Sequence, residues 1–169
     1  MLIREARQED ADAIAEIHVR SWQAAYVGLL PEEALAALSI PDRAARWRSW
    51  LERPAPGLRV WVEEDDGRII GFSSTGPSRD PGAPRHHAEV FTIYLAPDVV
   101  GRGWGRALFA HVIHDLRRQG FRSADLWVLT ANDRARRFYE AAGWRSDGEE
   151  KTESLHGIEV HEIRYRVDL

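Results

Sequence analysis

The sequence lacks cysteine entirely and has one lysine, Lys151, among its 169 residues. Without cysteine the chain can form no disulfide bond, no thiolate metal site and no cysteine nucleophile. It also has no apolar run long enough to span a membrane, and the early charged residues Arg4, Glu5 and Arg7 are unlike a signal peptide. We therefore expect a cytoplasmic protein with no membrane partner.

The charge balance is slightly acidic, and the composition is that of a globular protein. The chain has 23 lysine and arginine residues against 27 acidic ones, which gives a formal net charge of −4. Nucleic-acid binders usually carry a basic face, so we expect no nucleic-acid partner. With 44% apolar and 30% charged residues, a chain of this length is predicted to fold as a single domain over residues 1–169.

Helical and strand periodicities alternate along the chain and predict a mixed α/β fold. Asp66-Gly67 is typical of a hairpin turn, and Pro81-Gly82 indicates a mobile surface loop between Ser78 and His87. Helices are predicted near residues 9–25, from 30 onward, 42–51, 103–118 and after 132. Strands are predicted near residues 3–6, 59–64, 68–72, 89–95, 125–129, 144–151 and 158–167, the last two joined by a turn at His156-Gly157.

Two groups of histidines raise the question of a metal site. His86 and His87 are adjacent, and His111 and His114 lie beside Asp115 on a predicted helix. Neither group has a further ligand at a defined spacing, as a structural or catalytic metal site requires. We therefore predict a loop and a solvated helix edge at these positions, and no metal.

A glycine-rich turn, Gly101-Arg-Gly-Trp-Gly-Arg106, lies between a predicted strand and an amphipathic helix. Alternating glycines let a ligand approach the backbone closely, and the exposed N–H groups at a helix N-terminus favour an anion such as phosphate. A plain tight turn is the alternative interpretation. The pattern is neither a P-loop, which needs Gly-Lys-Ser/Thr, nor the G-x-G-x-x-G of a dinucleotide-binding fold.

Two stretches of the chain resemble the GCN5-related N-acetyltransferase (GNAT) family. Residues 89–108 lead from a strand through a proline-containing turn into Val100-Gly-Arg-Gly-Trp-Gly and a helix, similar to the acetyl-CoA motif of that family. Residues 126–144 are similar to its later strand, asparagine, tyrosine-bearing helix and closing Gly-aromatic pair. One departure is Val100, where the family usually has Gln or Arg. The resemblance implies a mostly antiparallel sheet of six or seven strands, flanked by about four helices, with two central strands splaying apart to admit the cofactor arm.

The resemblance also implies an activity, the direct transfer of the acetyl group of acetyl-CoA to an amine within a ternary complex. By position, Asn132 would hydrogen-bond the cofactor arm and Tyr139 would protonate the leaving sulfur. Asn132 also fits an ordinary helix N-cap, and Tyr139 an ordinary core position. The main chain of Ile93, Tyr94 and Leu95 would pair with the pantetheine arm, and the pyrophosphate would lie against Val100, Gly101, Arg102, Gly103, Gly105 and Arg106.

The general base and the acceptor are less constrained by the sequence. Glu89 occupies a position where some family members carry a catalytic glutamate, although a surface acid at a strand end is equally compatible. Trp22 and Tyr26 lie four residues apart on a predicted helix and could hold an ammonium group by cation–π contact, or pack in the core. We expect a small-molecule amine as acceptor and a possible homodimer. The alternatives are an acetyl-CoA sensor without turnover and an acetyltransferase for protein N-termini.

Overall fold

A computed structural model describes residues 2–155 and 158–169, so the turn predicted at 156–157 lies outside the described residues. The described chain contains seven strands and five α-helices, one helix more than the family resemblance implies. The strands are β1 (Leu2–Glu5), β2 (Arg59–Asp65), β3 (Arg68–Pro77), β4 (His87–Leu95), β5 (Ser123–Leu129), β6 (Arg145–Leu155) and β7 (Ile158–Asp168). The helices are α1 (Ala11–Ala25), α2 (Glu32–Ala36), α3 (Ile40–Glu52), α4 (Trp104–Arg118) and α5 (Asp133–Ala141).

All seven strands form one sheet in the order β1-β2-β3-β4-β5-β7-β6. Every neighbouring pair is antiparallel except β4 and β5, which run parallel. Because α4 connects β4 to β5, it packs on one face of the sheet, and Leu108, Phe109, Val112 and Leu116 are buried there. The opposite face of β2 and β3 is covered by α1 and α3, whose buried core includes Ile14 and Trp47. None of the helices in the described residues is long and apolar enough to cross a membrane.

Local turn and cap geometry determines where several elements begin and end. Asp66 and Gly67 both have positive φ, 48° and 76°, as the two central residues of a tight hairpin turn require. Ser39 begins α3 by accepting a hydrogen bond from the Asp42 N–H at 3.2 Å, so this helix starts two residues before the predicted position. The helix α4 ends at Arg118, just before Gly120, whose φ is 87°.

Several strands are longer than predicted, and in β3 and β4 buried polar residues form the extension. The predicted strand 68–72 continues to Pro77, and the hydroxyl of Ser73 donates to the Thr92 carbonyl at 2.7 Å. β4 begins at His87 rather than at Glu89. The prediction of His87 as a loop residue is therefore wrong, because its ring is buried between Ser123 and Asp125 at 2.7 and 2.6 Å.

A bulge in β4 changes the direction of its side chains near the middle of the strand. Ser74 pairs with Thr92 and Thr75 pairs with Val90, so Phe91 has no partner on β3. As a result Val90 packs in the core beneath α4, whereas Tyr94 packs in the core formed with α1. The bulge therefore brings the Tyr94 side chain and the end of α1 to the same side of the sheet.

Candidate functional site

The sheet opens between β4 and β5. The two strands pair only at His87–Glu89 with Ser123–Asp125, and the remaining residues of β5 pair with β7 alone. On the β3 side, Ala96 donates its N–H to the Ile70 carbonyl at 2.8 Å. Because peptide groups alternate in direction along an antiparallel strand, the N–H groups of Ile93 and Leu95 point into the opening. The N–H of Tyr94 points to β3, and its ring packs on the α1 side of the sheet, 5.1 Å from the ring of His18.

The glycine-rich turn leads into the N-terminus of α4, beside this opening. Gly101 and Gly103 have φ of 88° and 94°, and a Cβ built at either position would meet no protein atom within 4 Å. Gly103 is the N-cap, and α4 has no side-chain cap, so the first N–H groups of this 15-residue helix face outward. These two glycines therefore combine a left-handed backbone with open space in front of uncapped N–H groups, which suits a phosphate.

The remaining residues of the turn have different environments. A Cβ at Gly105 would lie 3.2 Å from the Leu95 side chain, so this glycine is needed for close packing of α4 on β4. Arg102 and Arg106 are exposed on either side of the N-cap, where their charge favours an anion. Val100 is half-buried with an extended backbone (φ −62°, ψ 140°).

Asn132 caps α5, as one of its two predicted interpretations requires. Its Oδ1 accepts a hydrogen bond from the Ala135 N–H at 3.1 Å. The helix is further held at its start by Arg136, whose Nη1 donates to the Thr130 carbonyl at 3.0 Å. The amide nitrogen of Asn132 is not used by the cap, so it can still donate to a ligand.

Three tyrosines from three different elements lie around the opening. Burial raises the pKa of Tyr139 on α5, and the nearby Tyr94 raises it further. Burial also raises the pKa of Tyr94, against the lowering effect of hydrogen bonds with Tyr26 and Trp22. The pKa of Tyr26 is raised well above its ordinary value, first by burial and then by Tyr94. All three hydroxyls therefore hold their protons at neutral pH, as a general acid must before it acts.

The predicted acceptor residues Trp22 and Tyr26 do share a face of α1. Their rings meet edge to face, with centroids 5.1 Å apart, and Trp22 also lies 5.7 Å from the ring of His18. Trp22 is buried in a small core with Leu30, Leu35, Leu129 and Val160, which agrees with its core interpretation. Tyr26 is half-buried at the edge of that core.

Glu89 lies at the closed end of the opening, where β4 still pairs with β5. It is buried and held by Arg79, whose backbone N–H and Nε donate to its Oε2 at 3.0 and 3.1 Å. The neighbouring Asp125 is also buried, and accepts from the Ser78 hydroxyl at 3.2 Å. The loop predicted to be mobile therefore begins with two residues anchored to the sheet.

A cleft of about 470 Å³ lies at the opposite, open end of β5. Its walls come from the loop after α1, the end of β5 and the strands β6 and β7. Nearby, Glu162 on β7 pairs in register with Leu129, the last residue of β5. The lining residues are Leu29, Leu30, Leu129, Thr130, Ala131, Glu150, Glu159, Val160 and His161.

Arg79 and Glu162 are two charged residues near the opening that the sequence did not single out. One signal for Glu162 was available, because it lies between Val160 and Arg164 at the two-residue spacing of one strand face. Its position opposite Leu129 depends on the pairing of β5 with β7, which local patterns do not reveal. In the described residues, no group of three or more potential metal-ligating acidic or histidine side chains occurs.

Known proteins are similar to this chain in architecture and in sequence. The structure of yncA from Salmonella typhimurium, solved with its cofactor acetyl-CoA, superposes with a TM-score of 0.73 at 23% identity, covering 99% of this chain and 93% of that one. The chain is 32% identical to the uncharacterized N-acetyltransferase YuaI of Bacillus subtilis (strain 168), over 95% of this chain and 89% of YuaI. It is 29% identical to the L-amino acid N-acyltransferase MnaT of Escherichia coli (strain K12), over 85% of this chain and 79% of MnaT.

The family model described as the acetyltransferase (GNAT) family matches residues 11–144. This range includes the glycine-rich turn, the opening between β4 and β5, and the helix that carries Tyr139. The chain belongs to the GNAT family of acetyltransferases.

Proposed function

We propose that this protein transfers the acetyl group of acetyl-CoA directly to the amino group of a small molecule, with donor and acceptor bound at the same time. The opening between β4 and β5 carries the proposal. It has a phosphate-type turn at one face of the sheet, tyrosines around it and a separate cleft at the end of β5. Two ligands can therefore approach the opening from different directions.

The residues present fit the donor. Gly101 and Gly103 leave open space before the uncapped start of α4, which suits the pyrophosphate. The N–H groups of Ile93 and Leu95 can donate to the pantetheine arm as an added strand edge would, and the Asn132 amide can donate to the same arm. When bound, acetyl-CoA supplies an activated thioester. A backbone N–H in the opening stabilises negative charge that develops on a carbonyl oxygen.

Tyr139 is the general acid of this proposal. Its hydroxyl is protonated at neutral pH, because burial and Tyr94 raise its pKa. Tyr139 lies on α5, and it is close enough to Tyr94 on β4 for the two hydroxyls to interact. It can therefore give its proton to a leaving thiolate in the opening. Glu89 stays a prediction as the base, since three donors of Arg79 already hold its carboxylate.

The similarity to MnaT supports a small acceptor, because that relative is named for L-amino acids. The test is release of free thiol from acetyl-CoA in the presence of single amines: L-amino acids, diamines, amino sugars and short peptides with free N-termini. We expect turnover with one class of small amine. Turnover with peptides alone would overturn the small-molecule proposal, and donor binding without any turnover would identify a sensor.

A further inference from the structure

Glu89 and Glu162 lie at opposite ends of the opening. Glu89 pairs with Asp125 at the closed end, whereas Glu162 pairs with Leu129 at the open end. Leu129 lies four residues beyond Asp125, which is about 13 Å along a strand at the usual rise per residue. Ile93 is likewise four residues beyond Glu89. The bulge at Phe91 shortens this count along β4, and the charge of Glu162 acts on Tyr94, so Glu162 lies toward the end of β4 that carries Ile93 and Tyr94.

The contacts of the two carboxylates also differ. Glu89 is 2% exposed and accepts hydrogen bonds from both the backbone and the guanidinium of Arg79. Glu162 has a side chain that is 14% exposed, and its contact in the described residues is with the ammonium of Lys151 at 3.4 Å. A carboxylate whose oxygens already accept several hydrogen bonds has little capacity for a further donor, while one with a single partner retains a free oxygen. Glu162 is thus the better placed of the two to meet an incoming ammonium group.

Glu162 also shares its surroundings with the tyrosines of the opening. Its negative charge raises the pKa of both Tyr26 and Tyr94. Burial raises its own pKa, Lys151 lowers it, Glu153 raises it and Arg79 lowers it. The charged groups that face Glu162 are Lys151 and Glu153 on β6, Arg79 on the loop after β3 and Arg164 on β7. The tyrosines that face it are Tyr26 after α1 and Tyr94 on β4, and Arg43 lies beyond Tyr94.

An ammonium group is already accommodated beside Glu162. The Nζ of Lys151 lies 4.4 Å from the centroid of the Trp127 ring and 3.1 Å from Glu153. The face of an indole and a carboxylate are the two groups that recognise an organic ammonium ion. The cleft at the end of β5 adds apolar walls, from Leu29, Leu30 and Val160, for the body of an acceptor.

We propose that Glu162 is the general base, accepting the ammonium proton of an acceptor whose body occupies the cleft at the end of β5. This assignment rests on the proposed function. A proton passes from the acceptor R–NH₃⁺ to the Glu162 carboxylate, which leaves R–NH₂ with a free electron pair. The amine then forms the N–C bond to the thioester carbon as the C–S bond breaks. Tyr139 protonates the thiolate, and its phenolate then takes the extra proton from the nitrogen of the newly formed amide. Glu162 releases its proton to water.

The test compares isosteric variants of the carboxylates over a range of pH. Glu162→Gln is expected to lower kcat/KM by about 10²–10⁴-fold and to remove the fall in rate on the acid side of the pH profile. Glu149→Gln, which alters an exposed carboxylate of β6 that does not line the cleft, serves as the matched control and should retain both. Calorimetric affinity for acetyl-CoA should be unchanged in both variants, because the donor lies against α4 and β4.

A second variant tests whether the acid side of the pH profile follows the pKa of Glu162. Lys151 lowers the pKa of Glu162, so Lys151→Met should shift the acid side of the profile to higher pH. Wild-type kcat and an unchanged acid limb in Glu162→Gln would overturn the assignment. Loss of the acid limb in Glu89→Gln instead would restore Glu89 as the base. Absence of turnover in the wild type with every amine would overturn the proposed function, and this assignment with it.

Discussion

At the scale of single residues, the proposal that Tyr139 is the general acid has a direct test in its hydroxyl. Its ring packs against Phe109 and Phe138, with centroids 5.6 and 5.3 Å away, and these contacts do not need the hydroxyl. Tyr139→Phe should therefore keep the packing and lower kcat by about 10²–10⁴-fold, since only proton donation is lost. Steady-state thiol release measures kcat, and calorimetry should find acetyl-CoA affinity unchanged.

Tyr165→Phe is the matched control for Tyr139→Phe. The Tyr165 hydroxyl donates to Glu140 at 2.6 Å and accepts from Arg136 at 3.2 Å, so it holds α5 on the sheet. Its loss should reduce thermal stability and leave kcat as it was. If Tyr139→Phe turned over at the wild-type rate, the general acid would have to be another group.

Residue identities alone predicted the part of the site that is local in sequence. The left-handed glycines Gly101 and Gly103 and the N-cap Asn132 are each defined within a few residues of chain. Arg79 and Glu162 were not found, because neither contact is local. Arg79 binds Glu89, which lies 10 residues away on β4, and Glu162 lies opposite Leu129 on the neighbouring strand β5. Such pairings depend on sheet register, which distant residues determine together.

At the scale of elements, the start of α5 allows the observed cap of Asn132 and its proposed contact with acetyl-CoA to be tested separately. Asn132→Asp keeps an oxygen for the Ala135 N–H and loses the amide donor, so it should retain stability and bind acetyl-CoA more weakly. Asn132→Ala removes both groups and should also cost about 1 kcal/mol of stability. Thermal unfolding and calorimetry on both variants test this. Equal acetyl-CoA affinity in Asn132→Asp and the wild type would leave Asn132 as a cap alone.

The turn before α4 is the second element with a direct test. Gly103→Asp adds a side chain and a negative charge in front of the uncapped helix start, and should abolish acetyl-CoA binding. Gly82→Asp is the matched control, because Gly82 also has positive φ (80°) and open space around its Cα. Both variants carry similar backbone strain, and calorimetry should find binding lost in the first alone. Full affinity in a folded Gly103→Asp variant would contradict the phosphate site.

The elements themselves were largely predictable from periodicity, turns and caps. The exceptions are β3 and β4, where Ser73 and His87 are polar yet buried. Sequence patterns treat such residues as loop or surface positions, because an isolated polar group is costly to bury. Here the cost is offset by cross-strand hydrogen bonds to Thr92, Ser123 and Asp125, and those partners become apparent only when the strands are assembled.

At the scale of the whole molecule, one buried carboxyl group makes stability depend on pH. Glu63 on β2 is 0% exposed, and both its oxygens lack a hydrogen-bond partner among the described residues. Burial, aided by Asp65, raises its pKa from 4.5 to about 7. The folded protein therefore holds this proton more tightly than the unfolded chain does. Stability from this group is complete below pH 4.5 and falls as the pH rises to about 7, by about 3 kcal/mol.

Glu63→Gln tests this dependence, because an amide stays neutral at every pH. We expect the variant to lose the decline in unfolding free energy between about pH 4.5 and 7, measured by urea denaturation. Above that range it should be more stable than the wild type. Asp66→Asn, in the exposed turn after the same strand, is the control and should follow the wild-type curve. An unchanged decline in Glu63→Gln would assign the pH dependence to other groups.

The overall architecture follows from a mixed α/β pattern and the resemblance of two motifs, and the GNAT family match confirms it. The opening in the sheet was expected from that resemblance alone. Its physical basis is the limited pairing of β4 with β5 and the unpartnered Phe91, which reverses the side-chain faces of β4. Neither feature leaves a periodic signal in the sequence, because each depends on two strands at once.

The central claim is that the opening between β4 and β5, with the turn at Gly101 and Gly103, binds acetyl-CoA. Calorimetric titration of the wild-type protein with acetyl-CoA tests this claim most directly. The account predicts saturable binding of one acetyl-CoA per chain, weakened as salt screens the phosphate contacts. Absence of binding to the folded protein would contradict the assignment of the glycine-rich turn and of the mechanism built on it.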